Sequence, residues 1–343
     1  MDPNPHFSAL SSWVLLIARA LDSYGSDSAD LFARSGLDHS RLSDPGARFS
    51  YAGVTRLWEL ATQVTRDPGF GLTVASLWHP TTLHALGYSW FASNNLQEAY
   101  ERLQRYARFI NTAANGVMRI EESADSYCLI LDPSRMKLRP ATVAIDAGLA
   151  MILNMSRAAY GEHFRALRVS LQHEAAGGEK YLQKFNDVFG APVAFAQPEN
   201  ALWLDPAMVA EPLATANMEL ARVSDRIVTD YLAQLDRKDV TMRVKSKLIE
   251  GLPGGKVSEE GIASSINVSQ RSLQRKLRQQ GMSFTQLLEN TRRELSLQYV
   301  RDPQYSLHEV AFLLGFAEPG NFSRAFKRWY GQSPSRFRQD SLS

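Results

Sequence analysis

The sequence has little of what stabilises small secreted proteins or spans membranes. Its 343 residues include one cysteine, Cys128, so an intrachain disulfide and a cysteine-based zinc cluster are excluded. No run approaches the roughly 20 apolar residues of a membrane helix. The apolar run from Trp13 to Leu21 is short, Arg19 interrupts it and Asp2 precedes it, so we expect no signal peptide. These absences predict a reducing, cytoplasmic compartment and no membrane partner.

Motifs of catalysis are also missing. The chain has no Gly-x-Ser-x-Gly nucleophile elbow, no glycine-rich phosphate loop and no His-Glu-x-x-His metal motif. Cys128 lies in an apolar, strand-like run, where a buried and inert thiol is more common than a nucleophile. The paired acids Glu121 and Glu122 are typical of a solvated turn. We therefore predict no catalytic residue, no cofactor and no metal.

What the chain does have is an uneven distribution of charge. Residues 241–343 hold 16 Lys and Arg against 9 Asp and Glu, a net charge of +7, whereas residues 1–240 carry −5. A basic tail on an acidic remainder indicates a polyanion-binding face in the tail. The length, with 44% hydrophobic residues, suits two or three globular domains.

The first 210 residues are predicted to form an α+β domain. Apolar residues recur at helical spacing within residues 13–21, 51–64 and 96–110. Helices are also predicted over 141–160 and 180–189. Short strands are predicted over 117–121, 127–131, 166–171, 193–195 and 201–204. Helices followed by a small sheet with crossing helices define the α+β class.

A long helix is predicted from Glu211 to Leu235, followed by a charged candidate linker, Asp236–Asp239. We therefore divide the chain into an N-terminal domain over 1–210, a helix and linker over 211–240, and a C-terminal domain over 241–343. The helix would either pack within its own domain or form a dimer contact, and the sequence favours neither.

The C-terminal domain contains two helix-turn-helix patterns, over residues 258–277 and 306–328. In the first, Ser269 is placed to cap the second helix, and the core residues are Ile262, Ala263, Ile266, Val268, Leu273 and Leu277. In the second, Gly315 is predicted to supply a left-handed turn. Two such units can present two helices to one face of duplex DNA, about one turn (~34 Å) apart. Sequence-specific binding of double-stranded DNA is therefore the leading prediction.

Polar residues on the second helix of each pattern are the candidate DNA contacts. Arg reads guanine with two hydrogen bonds and Gln reads adenine. Other polar and basic side chains are better suited to phosphates. The phosphate candidates are Lys276, Arg278, Ser323, Lys327 and Arg328.

A wider set of residues spans both patterns: Ile262-Ala263, Ser269, 273–277, Gly281, Ala311, Gly315-Phe316, 321–328, 331–334 and Phe337-Arg338. This set resembles the AraC/XylS family of bacterial transcription regulators. The resemblance implies an all-α domain of seven helices with two helix-turn-helix motifs, which binds two successive major grooves. It also implies base-reading roles for Arg271, Gln274, Arg275, Asn321 and Arg324.

Two positions depart from the family pattern. Gly320 stands where a polar side chain is usual, so a base contact by a side chain is lost there. Ser296 replaces a usual alanine in the connecting helix predicted over 284–300, and we expect this change to be tolerated.

The front of the chain carries a second resemblance. Residues 82–93 and 96–99 are similar to the longer sensor domain of the subgroup typified by the ornithine-utilisation regulators, and not to the small β-barrel sensor of the arabinose regulator. The resemblance implies ligand sensing and self-association. Aromatic and imidazole groups can enclose a small molecule. The candidate ligand pocket therefore draws on Trp78, His79, His84, Tyr88 and Trp90, for which the alternative role is core packing.

The sequence thus predicts a DNA-binding transcription regulator that responds to a small metabolite such as an amino acid or related acid. The resemblance implies an activator, and repression is the alternative that the residues leave open. Its predicted partners are operator DNA, RNA polymerase, the small-molecule effector and a second copy of the chain. We expect it at the bacterial nucleoid when bound to DNA. The alternatives are an architectural DNA-binding protein without a ligand and an enzyme fused to a DNA-binding tail. The long acidic front domain argues against the first, and the missing catalytic motifs argue against the second.

Overall fold

A computed structural model of the chain describes residues 7–136, 138–176, 178–238, 240–255, 257–279 and 282–342. Gly281 of the C-terminal pattern and Asp239 of the predicted linker lie outside these ranges. The chain divides into two compact units, Met1–Leu232 and Ala233–Ser343.

The strands of the N-terminal unit form two sheets. The strands are β1 Ser8–Leu10, β2 Arg48–Ser50, β3 Met118–Glu122, β4 Tyr127–Leu131, β5 Arg168–Ser170, β6 Val193–Ala194 and β7 Asn200–Leu204. β1 pairs with β2, and the other five form one sheet in the order β3-β4-β7-β5-β6. The pairs in this larger sheet are antiparallel except β5 and β6, which are parallel.

The helices of this unit include one that is buried along most of its length. They are α1 Ser11–Ser23, α2 Ser28–Arg34, α3 Tyr51–Thr65, α4 Phe70–Ser76, α5 His84–Phe91, α6 Leu96–Ile110, α7 Thr142–Tyr160, α8 Glu179–Phe189, α9 Pro206–Ala210 and α10 Met218–Lys238. The last six residues of α10 belong to the second unit. Twelve of the 19 residues of α7 are buried, which is more than a helix buries when only one of its faces packs on a core. It packs on α3, α4 and α8 and on β7, so neighbours cover it on several sides. The α+β class predicted for this unit is confirmed.

The long helix begins later and ends later than predicted. Residues 211–217 are not helical; the backbone N–H of Leu213 donates to the carbonyl of Asn94, and that of Asn217 donates to Ala92. Because these donors are bonded outside a helix, α10 starts only at Met218. The Asn217 side chain then accepts the N–H of Leu220 at 3.0 Å. Residues 236–238 of the predicted linker belong to α10.

The C-terminal unit is helical, as the resemblance implied. Its helices are α11 Val240–Gly251, α12 Glu259–Ser265, α13 Gln270–Gln279, α14 Phe284–Arg301, α15 Leu307–Leu313, α16 Pro319–Tyr330 and α17 Pro334–Leu342. Two small cores hold it together. One joins α11–α14 around Leu248 and Leu273, and the other joins α14–α17 around Val310 and Phe326.

Within the described ranges, none of the helices has the length and apolar character that a bilayer crossing requires. The same residues contain no group of three or more His, Cys, Asp or Glu side chains placed to hold a metal ion. Cys128 is buried on β4, where burial and the nearby acids Glu121 and Glu199 raise its pKa to about 12. The thiol therefore stays protonated, as expected for an inert core cysteine.

Candidate nucleic-acid interface

The first helix-turn-helix unit consists of α12, a tight turn and α13. Asn267 takes the left-handed conformation in the turn, with φ +56°, and asparagine tolerates this better than most residues. The backbone N–H of Val268 then donates to the carbonyl of Ala263 at 3.0 Å. Ser269 caps α13 by accepting the N–H of Ser272 at 3.2 Å, which confirms the predicted cap. The turn and the cap fix the angle at which α13 leaves the scaffold.

The second unit, α15 and α16, repeats this geometry. Gly315 has φ +68°, and the N–H of Phe316 donates to the carbonyl of Ala311 at 3.0 Å, the same bond as in the first turn. The left-handed turn predicted at Gly315 is confirmed. Glycine is needed here for a second reason, because a Cβ atom would lie 2.7 Å from the backbone oxygen of Leu252.

Arg292 on α14 supports the second turn, and sequence analysis missed it. Its Nε donates to the carbonyl of Leu314 at 2.9 Å and a terminal nitrogen donates to that of Gly315 at 2.8 Å. The guanidinium also lies 4.6 Å from the ring centroid of Phe316. No signal in a single sequence separates this arginine from a solvated one, because its partners lie more than twenty positions away.

The outward face of α13 presents three exposed arginines. Arg271, Arg275 and Arg278 follow one another at helical spacing and line one concave surface together with Gln274. Gln274 is half-buried, and its amide donates to Oε2 of Glu259 at 3.1 Å. The structure thus brings together the three base-reading candidates of this helix. Lys276 is half-buried and does not line that surface.

The outward face of α16 is built differently. Ser323, Arg324, Lys327 and Arg328 are exposed, whereas Asn321 is half-buried and accepts a hydrogen bond from Arg324 at 2.5 Å. This bond holds the two base-reading candidates of the helix side by side.

Two further features shape this face of α16. Arg328 is paired with Glu289 of α14 at 2.6 Å, so its charge is partly neutralised within the protein. A Cβ atom added at Gly320 would meet nothing within 4 Å, which leaves an open gap beside the helix N-terminus. Ser296, the other departure from the family pattern, is buried and donates to the carbonyl of Arg293 at 2.7 Å.

The five candidate ligand residues of the N-terminal unit occupy different environments. Trp90 is fully buried in the core, and Trp78 stacks on a neighbouring phenylalanine ring. His79 caps a short turn through its ring nitrogen, and Tyr88 is 48% exposed. Burial and the charge of Arg48 lower the pKa of the half-buried His84. None of the five lines the apolar cavity of this unit that is described below.

The paired units and their basic outward faces define a class, the tandem helix-turn-helix transcription regulators that bind duplex DNA. Two family models match the chain. One, described as the arabinose-binding domain of AraC transcription regulator, N-terminal, matches residues 25–213. The other, described as a helix-turn-helix domain, matches residues 262–340.

Full-length relatives agree with the family models. The ornithine utilization regulator of Pseudomonas aeruginosa is 27% identical over 325 residues, which is 92% of each chain. The transcriptional regulator VirS of Mycobacterium tuberculosis is 25% identical over 309 residues, 88% of this chain and 87% of its own. Among solved structures, the transcriptional regulator CdpR from Pseudomonas aeruginosa matches 94% of this chain and 97% of its own, at 20% identity and a TM-score of 0.43.

The chain therefore belongs to the AraC family of transcription regulators, and it is similar to the ornithine-utilisation-regulator subgroup. Its C-terminal unit is a DNA-binding domain.

Proposed function

We propose that this protein activates transcription from a specific operator in response to a small metabolite sensed by residues 1–210, and that it binds DNA as a homodimer. The observation that carries the proposal is the pair of exposed arginine-bearing faces, on α13 and α16, held by two equivalent turns. The proposed base contacts are Arg271, Gln274, Arg275, Asn321 and Arg324. The proposed phosphate contacts are Lys276, Arg278, Ser323, Lys327 and Arg328.

Removal of one base-reading guanidinium from each unit tests the DNA part of this proposal. We expect Arg275→Ala and Arg324→Ala each to weaken operator binding by ~1–3 kcal/mol, because one bidentate base contact is lost in each. Both side chains are exposed, so the thermal unfolding midpoint should not change. Gel-shift titration of the full chain with operator and scrambled duplex measures both affinity and discrimination.

Arg19→Ala is the matched control, because Arg19 is an exposed arginine of α1 in the other unit. It should leave operator affinity unchanged. If both tail variants bind operator as tightly as the unmodified chain, the base-reading assignment is wrong. Equal affinity of the unmodified chain for operator and scrambled duplex would instead indicate an architectural DNA-binding protein.

The proposed response to an effector is a shift between DNA-competent and incompetent states, which requires the effector to bind one of them better. The N-terminal unit supports it by having a sheet and cores of its own, more than a DNA-binding module needs. The ornithine utilization regulator is a relative over nearly its whole length, and its name links that protein to a metabolite. We propose that the DNA-bound form of this chain recruits RNA polymerase.

The proposed homodimer rests on the outward face of α10. Leu220, Val223 and Ile227 are 45%, 54% and 54% exposed and follow one another at helical spacing. The adjoining face of the helix, which carries Ala221, Ser224 and Val228, is buried in the N-terminal unit. Leu220 and Ile227 lie on either side of Val223, so two antiparallel copies would place each Leu220 near the Ile227 of its partner.

A further inference from the structure

The N-terminal unit contains an apolar cavity of about 170 Å³ that the DNA-binding function does not use. Its walls come from α1, α3, α6 and α7 and from the β3–β4 pair. The lining includes Trp13 and Trp58 and, from α7, Met151 and Ile152. Ala107 and Gly148, which also line it, are half-buried, so the cavity opens to solvent.

The chemistry of the walls limits what the cavity accepts. Among the described residues that line it, none carries a charge, and side-chain polar groups come from Tyr51, Thr55, Asn111 and the indole N–H groups of Trp13 and Trp58. The Tyr51 hydroxyl donates to the thioether of Met136 at 3.9 Å, a weak acceptor. Burial raises the pKa of Tyr51 to about 12, so its hydroxyl stays neutral and protonated. A carboxylate or ammonium group in this cavity would lose its hydration without gaining a charged partner.

The size of the cavity sets the size of its occupant. An apolar cavity of roughly 150 Å³ holds one benzene molecule, and the present one is slightly larger. We infer that the effector site is this cavity, and that its ligand is an uncharged, single-ring aromatic or similarly small apolar molecule with one neutral oxygen. The inference rests on the proposed effector response, and it replaces the expected amino acid or acid with a neutral ligand.

The position of the cavity gives its occupant a route to α10. Ala107 and Ile110 on the last turn of α6 line the cavity, and α6 departs from helical geometry just before that turn, at Tyr106. Phe109 of the same turn meets Tyr231 of α10 edge to face, with centroids 5.1 Å apart. A ligand that displaces this turn therefore displaces a contact of α10.

Arg48 strengthens this link. Its guanidinium donates to the carbonyl of Phe109 at 2.8 Å and to that of Ile110 at 3.3 Å, and it lies 6.0 Å from the Tyr231 ring. The Arg48 side chain thus contacts both the last turn of α6 and Tyr231. A movement of the turn therefore changes the environment of Tyr231.

The test uses the full chain and p-cresol, a single ring with one neutral hydroxyl, and compares it with benzoate, the same ring with a carboxylate. We expect p-cresol to raise the unfolding temperature and to change the tryptophan emission, because Trp13 and Trp58 line the site. Gly148→Leu fills the cavity, since a Cβ there would meet only a Leu131 methyl, at 3.5 Å. It should weaken p-cresol binding by at least roughly tenfold.

Ala158→Leu is the matched control, because Ala158 is exposed on the same helix and does not line the cavity. It should bind p-cresol normally. If Gly148→Leu does not fold, Ala144→Leu, another lining position of α7, takes its place.

The outcomes separate this inference from the proposed function. Failure of millimolar p-cresol to bind, tighter binding of benzoate, or unchanged binding in the filled variant would each overturn the cavity assignment. Operator affinity is measured separately with saturating p-cresol. If p-cresol binds at the cavity but operator affinity does not change, the site stands and the effector response proposed for it fails.

Discussion

A buried carboxyl–imidazole pair, Asp146 and His173, links α7 to the segment after β5. Asp146 is 1% exposed, and its Oδ1 lies 3.0 Å from Nε2 of His173. The other ring nitrogen of His173, Nδ1, lies 2.9 Å from the carbonyl oxygen of Glu174. Because a carbonyl can only accept a hydrogen bond, Nδ1 carries a proton. With Asp146 ionised, both ring nitrogens act as donors and the imidazole is a cation. Burial opposes this charge, but the hydrogen bond and the charge of Asp146 outweigh burial and raise the pKa of His173.

This pair predicts that stability falls as pH rises above about 6.5, the ordinary pKa of histidine. A group whose pKa is higher in the folded state stabilises below its unfolded pKa, about 6.5 for histidine, and the stabilisation is lost as pH rises through the folded value. Burial also raises the pKa of Asp146, so its contribution has the same sign.

We expect His173→Gln to cost about 1–3 kcal/mol at pH 6 and to flatten the pH dependence. Urea unfolding of both proteins at pH 6 and pH 9 measures this. His163→Gln, which changes an exposed histidine, is the control. If the His173→Gln variant lost as much stability between pH 6 and pH 9 as the unmodified chain, His173 would not be the group responsible for the pH dependence.

At the scale of the element, two of the left-handed glycines of the C-terminal unit, Gly315 and Gly331, should differ in their tolerance of alanine. Gly315 and Gly331 have φ +68° and +78°, so alanine is strained at both, by about 1–2 kcal/mol. A Cβ at Gly315 would also clash with the Leu252 carbonyl, whereas one at Gly331 meets nothing within 4 Å. We expect Gly315→Ala to destabilise the chain clearly more than Gly331→Ala in thermal unfolding. Equal losses would show that the Leu252 contact relaxes at no cost.

The sequence predicted correctly those elements whose bounds depend on residues near them in the chain. Helix α6 begins and ends where its apolar stripe does, and the strands β3 and β4 follow from two apolar runs and a polar turn. The start of α10 was predicted wrongly, because two bonds that hold residues 211–217 outside the helix come from residues 92 and 94, more than a hundred positions away.

The candidate sites follow the same rule. The outward residues of α13 and α16 could be placed from the buried residues three and four positions away. The cavity could not, because its walls come from residues between Ala9 and Ile152 that only the tertiary fold brings together.

At the scale of the whole molecule, the exposed stripe of α10 predicts the oligomeric state. The substitution Val223→Asp places a charge at the centre of this stripe. In a dimer that charge would be buried without a partner, so we expect the variant to dissociate to monomers. Thr229→Asp is the matched control, because Thr229 is an exposed β-branched residue on another face of α10. Sedimentation velocity over a range of concentrations measures both. A dimeric Val223→Asp variant would place the dimer contact elsewhere.

Helix α14 has a consequence for the promoters that this regulator can use. It runs without a break from Phe284 to Arg301, about 27 Å. It packs against α15 and α16 of the second unit, and its Leu287 belongs to the core that holds α12 and α13 of the first. A flexible tether would tolerate ten extra base pairs between the two recognition elements, because a full turn restores their phasing. A rigid helix between the two units does not tolerate such an insertion. Insertions between the two recognition elements that keep the phase should therefore disable a promoter as thoroughly as those that change it.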